Sequence, residues 1–329
     1  MPATTEKAVE SLDDILNVAK EAAILAGSHI RKAYETSHND ITTEINDDND
    51  DGINATIKSS STDLVTETDK LCEKVIIQHI QSIYSSHEII GEESSGSNQY
   101  ILTDKPTWVL DPIDGTTNFV HKLSLSCVIV AFVLNKEVCV GVVYDPISDE
   151  MFWAIKGRGA FLQRFASSSS GDDATSTTNN LPIPIHVSST KSISKALIAT
   201  DPGYSRDVTE VTEYLAVQRE LLLRNVRNIR TIGSTGLNMA YVSCGRLDAS
   251  FEEGSWETNR GPKIWDIAAG SLLVSEAGGV TRDLNQSALP TDVPLDLLQR
   301  SNFCAATTGL AEEIMDCIKS GRLSKNTQD

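Results

Sequence analysis

Apolar residues recur with a helical period near the start of the chain and crowd into strand-like runs in its middle. Leu12, Ile15, Leu16, Ala19, Ala23, Ala26 and Ile30 share one face of a helix predicted over 9–36. A second helix is predicted over 68–84, with Leu71, Val75 and Ile80 facing inward. Between them, residues 39–56 are rich in Asn, Asp and Gly and read as a solvent loop. A short strand at 87–91 leads into Glu92-Glu93-Ser94. Strands are then expected at 107–111, 124–134, 137–144 and 149–155. Pro112 cannot donate to a ladder and holds Asp111 extended, so the first of these is expected to stop there. Asn135-Lys136 reads as a hairpin.

The second half alternates. Strands are expected at 196–200, 226–231, 247–252, 279–283 and 303–307, and helices at 208–223, 234–244, 266–277 and 309–320. That alternation predicts a layered α/β arrangement. Residues 166–180, dominated by Ser, Thr, Asp and Asn, read as a low-complexity surface insertion. The insertion divides the expected organisation into an N-terminal α+β subdomain (1–165) and a C-terminal α/β subdomain (181–329).

Composition narrows the function. The chain has 329 residues, 40% of them hydrophobic, enough for a sizeable core. Its formal charge is −18, from 28 basic and 46 acidic residues, which argues against nucleic acid as a partner. Part of the excess is surface charge, as in the run Asp47, Asp48, Asp50 and Asp51. The six cysteines (72, 127, 139, 244, 304 and 317) show no zinc spacing and suit a reducing compartment. No signal-peptide pattern opens the chain, and no apolar run reaches membrane-spanning length. A cytoplasmic protein without membrane contact is expected.

The stretch from Trp108 to Phe119 reads Trp-Val-Leu-Asp-Pro-Ile-Asp-Gly-Thr-Thr-Asn-Phe. Asp111, Asp114 and the Ile113 carbonyl can converge on one point, and hard cations such as magnesium take such oxygens. Gly115 permits a tight turn, and Thr116 and Thr117 open a short helix whose free N–H groups suit an anion. The same residues taken alone describe an ordinary Asp-Pro-x-Asp-Gly surface turn. Other candidates also have plain readings: Glu92 and Glu93 as a surface pair, Asp69 and Asp266 as helix caps, Lys58 as a solvated lysine. No Gly-x-Ser-x-Gly elbow or His-Glu-x-x-His motif offers another nucleophile or metal site.

Residues 108–123 resemble the signature of the inositol monophosphatase family, within the lithium-sensitive, magnesium-dependent phosphatases. Three further segments resemble family motifs in the same order. They are Lys58-Ser59-Ser60 through Asp63-Leu64-Val65-Thr66-Glu67-Thr68-Asp69, then Gly91-Glu92-Glu93-Ser94, then Trp265-Asp266-Ile267-Ala268-Ala269-Gly270 followed by Glu276-Ala277-Gly278-Gly279. The resemblance implies an αβαβα sandwich of the inositol monophosphatase and fructose-1,6-bisphosphatase type. It also implies hydrolysis of myo-inositol monophosphates, two to three magnesium ions per site, and a homodimer.

By position, Glu92, Asp111 and the Ile113 carbonyl match ligands of the first ion, and Asp111, Asp114 and Asp266 those of the second. Thr116, hydrogen-bonded to Asp69, matches the group that takes a proton from the attacking water, with Glu92 assisting. Asp114, Gly115, Thr116, Thr235, Glu252 and Asp266 match substrate contacts. Lys58, Glu93 and Glu253 remain possible additions. A small phosphorylated polyol is the implied partner; histidinol phosphate, a sugar 1-phosphate or 3′-phosphoadenosine 5′-phosphate would keep the chemistry and change the alcohol, and a non-catalytic metal-binding member is the remaining option. The segment 253–264 is longer than usual in the family, which leaves open whether Glu252 or Glu253 faces the polyol.

Overall fold

The computed structural model describes residues 11–39, 55–57, 64–95, 100–165, 181–204, 206–254, 260–284 and 296–324. The segments 40–54 and 166–180, and Lys58, lie outside the described residues.

Five layers stack in the order helix, sheet, helix, sheet, helix. The first is α1 (Leu12–Asn39) with α2 (Glu67–Ile83), which follows the short hairpin of β1 (Ala55–Ile57) and β2 (Leu64–Thr66). They cover one face of a seven-stranded sheet. Its strands in spatial order are β3 (Glu88–Gly91), β4 (Thr107–Asp114), β5 (Cys127–Leu134), β6 (Glu137–Asp145), β7 (Glu150–Ile155), β8 (Ala160–Arg164) and β9 (Ile183–Ile185). All neighbours are antiparallel except β3 and β4. Side chains alternate across the pleat. Trp108, Leu110, Val128, Val130, Phe132, Val140 and Val142 meet Ile15, Ala19, Ala26, Ile30, Ile76 and Ile80.

Val109, Ile129, Ala131 and Val143 point the other way, onto the middle layer of α6 (Thr235–Ser243) and α7 (Ile264–Glu276). Both faces of β4 and β5 are therefore buried, which is why these strands read as near-continuous apolar runs. Helix α7 is apolar almost all round because it has a sheet on each side: Trp265, Ala268, Ala269 and Leu272 face the first, Ile267 and Val274 the second. It packs tightly on β6 at Gly141, where a Cβ would lie 2.9 Å from the Ala269 Cα.

The second sheet has the order β11 (Asn228–Arg230), β10 (Leu197–Thr200), β12 (Ala249–Glu252), β14 (Asn302–Ala305), β13 (Val280–Arg282). Its outer face packs on α5 (Val208–Leu223) and α8 (Thr308–Ser324), through Ile198, Ala249, Phe251 and Phe303 against Val217, Leu221, Leu310 and Ile314. This is the expected αβαβα sandwich.

Three expectations need correction. Strand β4 does not stop at Pro112. The register shifts between Asp111 and Asp114, from Asp111 opposite Ile129 to Asp114 opposite Cys127, so one extra residue bulges out where proline lacks its N–H. On α2 the inward face is Asp69, Cys72, Glu73, Ile76 and Ile80, while Leu71 is 43% exposed. Of the three residues expected inward only Ile80 is buried; Leu71 and Val75 are displaced from the inner face because two carboxylates, Asp69 and Glu73, occupy it. Strands β8 and β9 were not expected; both are short, and β9 carries Pro184 at the sheet edge, where a missing donor costs little. The Asn135-Lys136 hairpin is present, with φ of 51° and 64° at its two residues, the left-handed pair that a two-residue turn requires.

Candidate active site

The bulge in β4 aims its carboxylates. Asp111, 1% exposed, accepts a hydrogen bond from the Ile113 N–H at 3.0 Å, which folds the chain back on itself. Gly115 then turns the chain with φ of 88°; a Cβ there would lie 2.8 Å from the Leu125 carbonyl. The short helix α4 (Thr116–Val120) follows. Asn118 ties this turn to the second half of the chain by donating to the Leu125 and Ile232 carbonyls, both at 2.8 Å.

Asp114 is held by the start of α6. Its Oδ2 accepts from Ser234 Oγ at 2.5 Å, the Gly236 N–H at 2.7 Å and Cys127 Sγ at 3.4 Å; its Oδ1 accepts from the Thr235 N–H at 3.3 Å. The Thr235 and Gly236 N–H groups open α6. They face Asp114, placing a carboxylate at the positive end of the helix. Asp266 occupies the first turn of α7 rather than its cap: its carboxylate accepts from the Lys263 N–H at 2.5 Å, closing that turn.

Asp111, Asp114 and Asp266 offer ligand oxygens that all lie within 4.8 Å of one another. Burial, then the charges of Glu92, Asp114 and Asp266, push the Asp111 carboxyl well above its usual range. Burial and then Asp266 push Asp114 up to about 7, against the donors from Ser234 and Gly236. Burial and then Glu92 push Asp266 up to about 6. Carboxylates crowded this way resist ionising together unless a cation joins them. The donor set is all oxygen, with the Ile113 carbonyl beside it, and that fits a hard divalent ion such as magnesium.

Glu92, the first residue of the one-turn helix α3 (Glu92–Ser95), lines the same cavity. Asp69 performs two tasks with its two oxygens. Oδ2 accepts from the Thr66 N–H at 2.8 Å and from the Thr66 hydroxyl, completing the capping box of α2. Oδ1 accepts from Thr116 Oγ1 at 3.3 Å, and the same hydroxyl lies 3.0 Å from the Ile113 carbonyl oxygen. The helix-cap reading of Asp69 and the functional one are therefore compatible.

The cavity encloses about 320 Å³. Glu252 lines it and accepts from Thr235 Oγ1 at 2.8 Å. Burial and then Asp201 push its carboxyl up to about 8. Glu253 turns away into a neighbouring cavity and pairs with Arg322 at 3.4 Å, so of the two it is Glu252 that faces this cavity. Glu93 lines a shallow surface depression with Lys70 and Lys74. Sequence reading missed Asp201, which lines the cavity and accepts from the Gly233 N–H and Asn238 Nδ2, each at 2.9 Å. Its only local signal is an Asp-Pro-Gly turn at the end of β10. It also missed Ser234, Asn118 and Cys127, whose contacts are long-range.

Fold and site together define a layered α/β protein that gathers acidic side chains from both sheets around one cavity. Comparisons with known proteins agree. Residues 11–320 match the model of the inositol monophosphatase family. Inositol monophosphatase 1 of Solanum lycopersicum is 40% identical over 275 residues, 83% of this chain and 85% of that protein. Inositol monophosphatase 1 of Homo sapiens is 37% identical over 278 residues, 84% and 89% respectively. Among solved structures, the inositol monophosphatase from Anabaena (Nostoc) sp. PCC 7120 superposes with a TM-score of 0.67 at 26% identity, covering 94% of this chain and 96% of that one. The chain belongs to the inositol monophosphatase family.

Proposed function

We propose that the chain hydrolyses myo-inositol monophosphates to inositol and inorganic phosphate, using magnesium held by its acidic cluster. The observation that carries this is the meeting of Asp111, Asp114 and Asp266 within 4.8 Å beside a cavity of sugar-phosphate size, in a chain of this family. Glu92, Asp111 and the Ile113 carbonyl would hold one ion; Asp111, Asp114 and Asp266 would hold a second, with Glu92 near a third. Magnesium bound there supplies charge neutralisation for the phosphate and makes water acidic enough to attack phosphorus.

The chain's own groups manage the proton and the alcohol. Asp69 Oδ1 takes up the Thr116 hydroxyl proton, which frees a Thr116 Oγ1 lone pair to accept a proton from the attacking water. The Glu92 carboxylate is the second acceptor. The Gly115 and Thr116 N–H groups donate to phosphate oxygens, while Glu252 and Thr235 hold the polyol hydroxyls. The reading includes a homodimer. It also includes a reducing cytoplasmic setting, which all six cysteines, present as free thiols, support. Among the described residues no helix is long and apolar enough to cross a membrane.

A panel of phosphomonoesters assayed with magnesium and with a chelator tests this. Inositol monophosphates are expected to give the highest kcat/KM, with release abolished by the chelator and reduced by lithium. Faster turnover of a nucleotide or histidinol phosphate, or full activity in chelator, overturns the assignment.

A further inference from the structure

Helix α3 is one turn long and starts immediately after Gly91, which has no side chain to cap it. The first N–H groups of a helix need acceptors from elsewhere. They come from α2. Glu73 Oε2 accepts from the Glu93 N–H at 2.8 Å, and Oε1 accepts from the Ser94 N–H at 2.7 Å. Glu73 is only 4% exposed, and burying a carboxylate is costly unless its oxygens are hydrogen-bonded. The fit is close: a Cβ on Gly91 would lie 2.6 Å from Glu73 Oε2. Glu92 is therefore flanked by a glycine packed against this carboxylate and by two N–H groups fastened to it.

Glu73 lies one helical turn beyond Asp69, on the same buried face of α2. Asp69 reaches the Thr116 hydroxyl, and Glu73 reaches the backbone that carries Glu92. One turn of one helix thus anchors both groups assigned above to the water proton. We propose that Glu73 is a positioning residue for the hydrolysis: it sets where Glu92 meets the Asp111 and Asp266 carboxylates, and so governs magnesium use and turnover. This rests on the role assigned to Glu92 in the proposed function.

The test is a double-mutant cycle on the full chain, with magnesium binding measured by calorimetry in the absence of substrate and steady-state phosphate release from an inositol monophosphate measured across magnesium concentrations. Glu73→Gln keeps one acceptor but turns an amide N–H₂ toward the other backbone donor. It is expected to lower kcat about tenfold and raise the magnesium half-saturation about tenfold, with KM for the ester changed less than about twofold. Glu73→Ala, lacking both acceptors, is expected to lose about 100-fold. In a Glu92→Gln background the Glu73→Gln change should cost less than about twofold, because its effect acts through Glu92. Ile80→Val, a core change lower on α2, should lower the melting temperature and leave the magnesium half-saturation unchanged.

Native kcat and magnesium dependence in folded Glu73→Gln, or a full multiplicative loss in the double variant, overturns the inference. So does a matching magnesium shift in Ile80→Val, which would make the effect one of general stability. Native turnover in Glu92→Gln alone instead overturns the role given to Glu92, and the inference with it. If Glu73→Ala fails to fold, the isosteric Gln variant decides.

Discussion

Replacing Asp114 by Asn separates what the acidic cluster costs the fold from what it contributes to catalysis. Burial and Asp266 raise the Asp114 carboxyl from 3.8 to about 7. A raised carboxyl pKa means that the folded state disfavours the charge. Its contribution to stability is intact below the unfolded value and is lost as pH climbs through about 7. At about 1.4 kcal/mol per unit, the full loss in chelator at pH 8 is ~4 kcal/mol, and at pH 5 it is under ~2 kcal/mol. Asn carries no charge and removes this penalty. It cannot accept on both sides, however, so one N–H at the start of α6, from Thr235 or Gly236, loses its partner at a cost of about 1–3 kcal/mol.

The balance changes sign with pH. In chelator the Asn variant should be level with the parent or below it at pH 5, and ahead by about 1–3 kcal/mol at pH 8. Urea denaturation at the two pH values measures this directly. In saturating magnesium the order should reverse, because the parent gains binding free energy that the variant lacks. Phosphate release should fall at least about 100-fold, equivalent to ~2.7 kcal/mol of transition-state stabilisation. A variant that keeps near-native turnover, or that loses ground to the parent as pH rises from 5 to 8 in chelator, refutes the reasoning.

Thr116→Val nearly preserves shape and removes the hydroxyl that meets Asp69 and the Ile113 carbonyl; kcat should drop about 100-fold with KM changed under about threefold, as steady-state kinetics will show. Glu252, with its carboxyl pushed up to about 8, should give the parent a KM that falls as pH rises through that value, since the ionised form is the better acceptor for hydroxyls. In Glu252→Gln that pH dependence should disappear and KM rise about tenfold, a loss in the range of one charged hydrogen bond; a pH profile of KM for both proteins checks it. Gly141→Ala puts a methyl 2.9 Å from the Ala269 Cα. It should destabilise by about 1–3 kcal/mol in chemical denaturation and lower phosphate release as well, because α7 carries Asp266.

The layered α/β arrangement was legible in the alternation of strands and helices along the second half, and the αβαβα sandwich through the family resemblance; the central strands carry a plainer mark of their own. Residues 108–110 and 127–134 are apolar throughout, and in the structure β4 and β5 are covered by α1 and α2 on one side and α6 and α7 on the other. Asp111 and Asp114 were legible as candidates because they follow an apolar run and precede a glycine turn, whereas Asp266, a helix cap when read alone, became a candidate only through the family resemblance; the meeting of all three within 4.8 Å needed the structure. The misreadings fall at the same place. Pro112 obeys the local rule that it cannot donate, yet the strand continues, because the bulge spends its unpaired residue there and swings Asp111 and Asp114 toward the cavity. On α2 the pattern favoured Leu71 and Val75 as inward, whereas Asp69 and Glu73 are buried. Each buried carboxylate answers backbone donors, of Thr66 in one case and of Glu93 and Ser94 in the other, so the burial that local hydropathy forbids is compensated by partners remote in sequence or hidden in the cap. An inner face that alternates acids with Cys72, Ile76 and Ile80 is poor as a hydrophobic stripe and good as a rail for polar groups. Where a helix packs through such a face, the acids that disturb the stripe are the first residues to test for function.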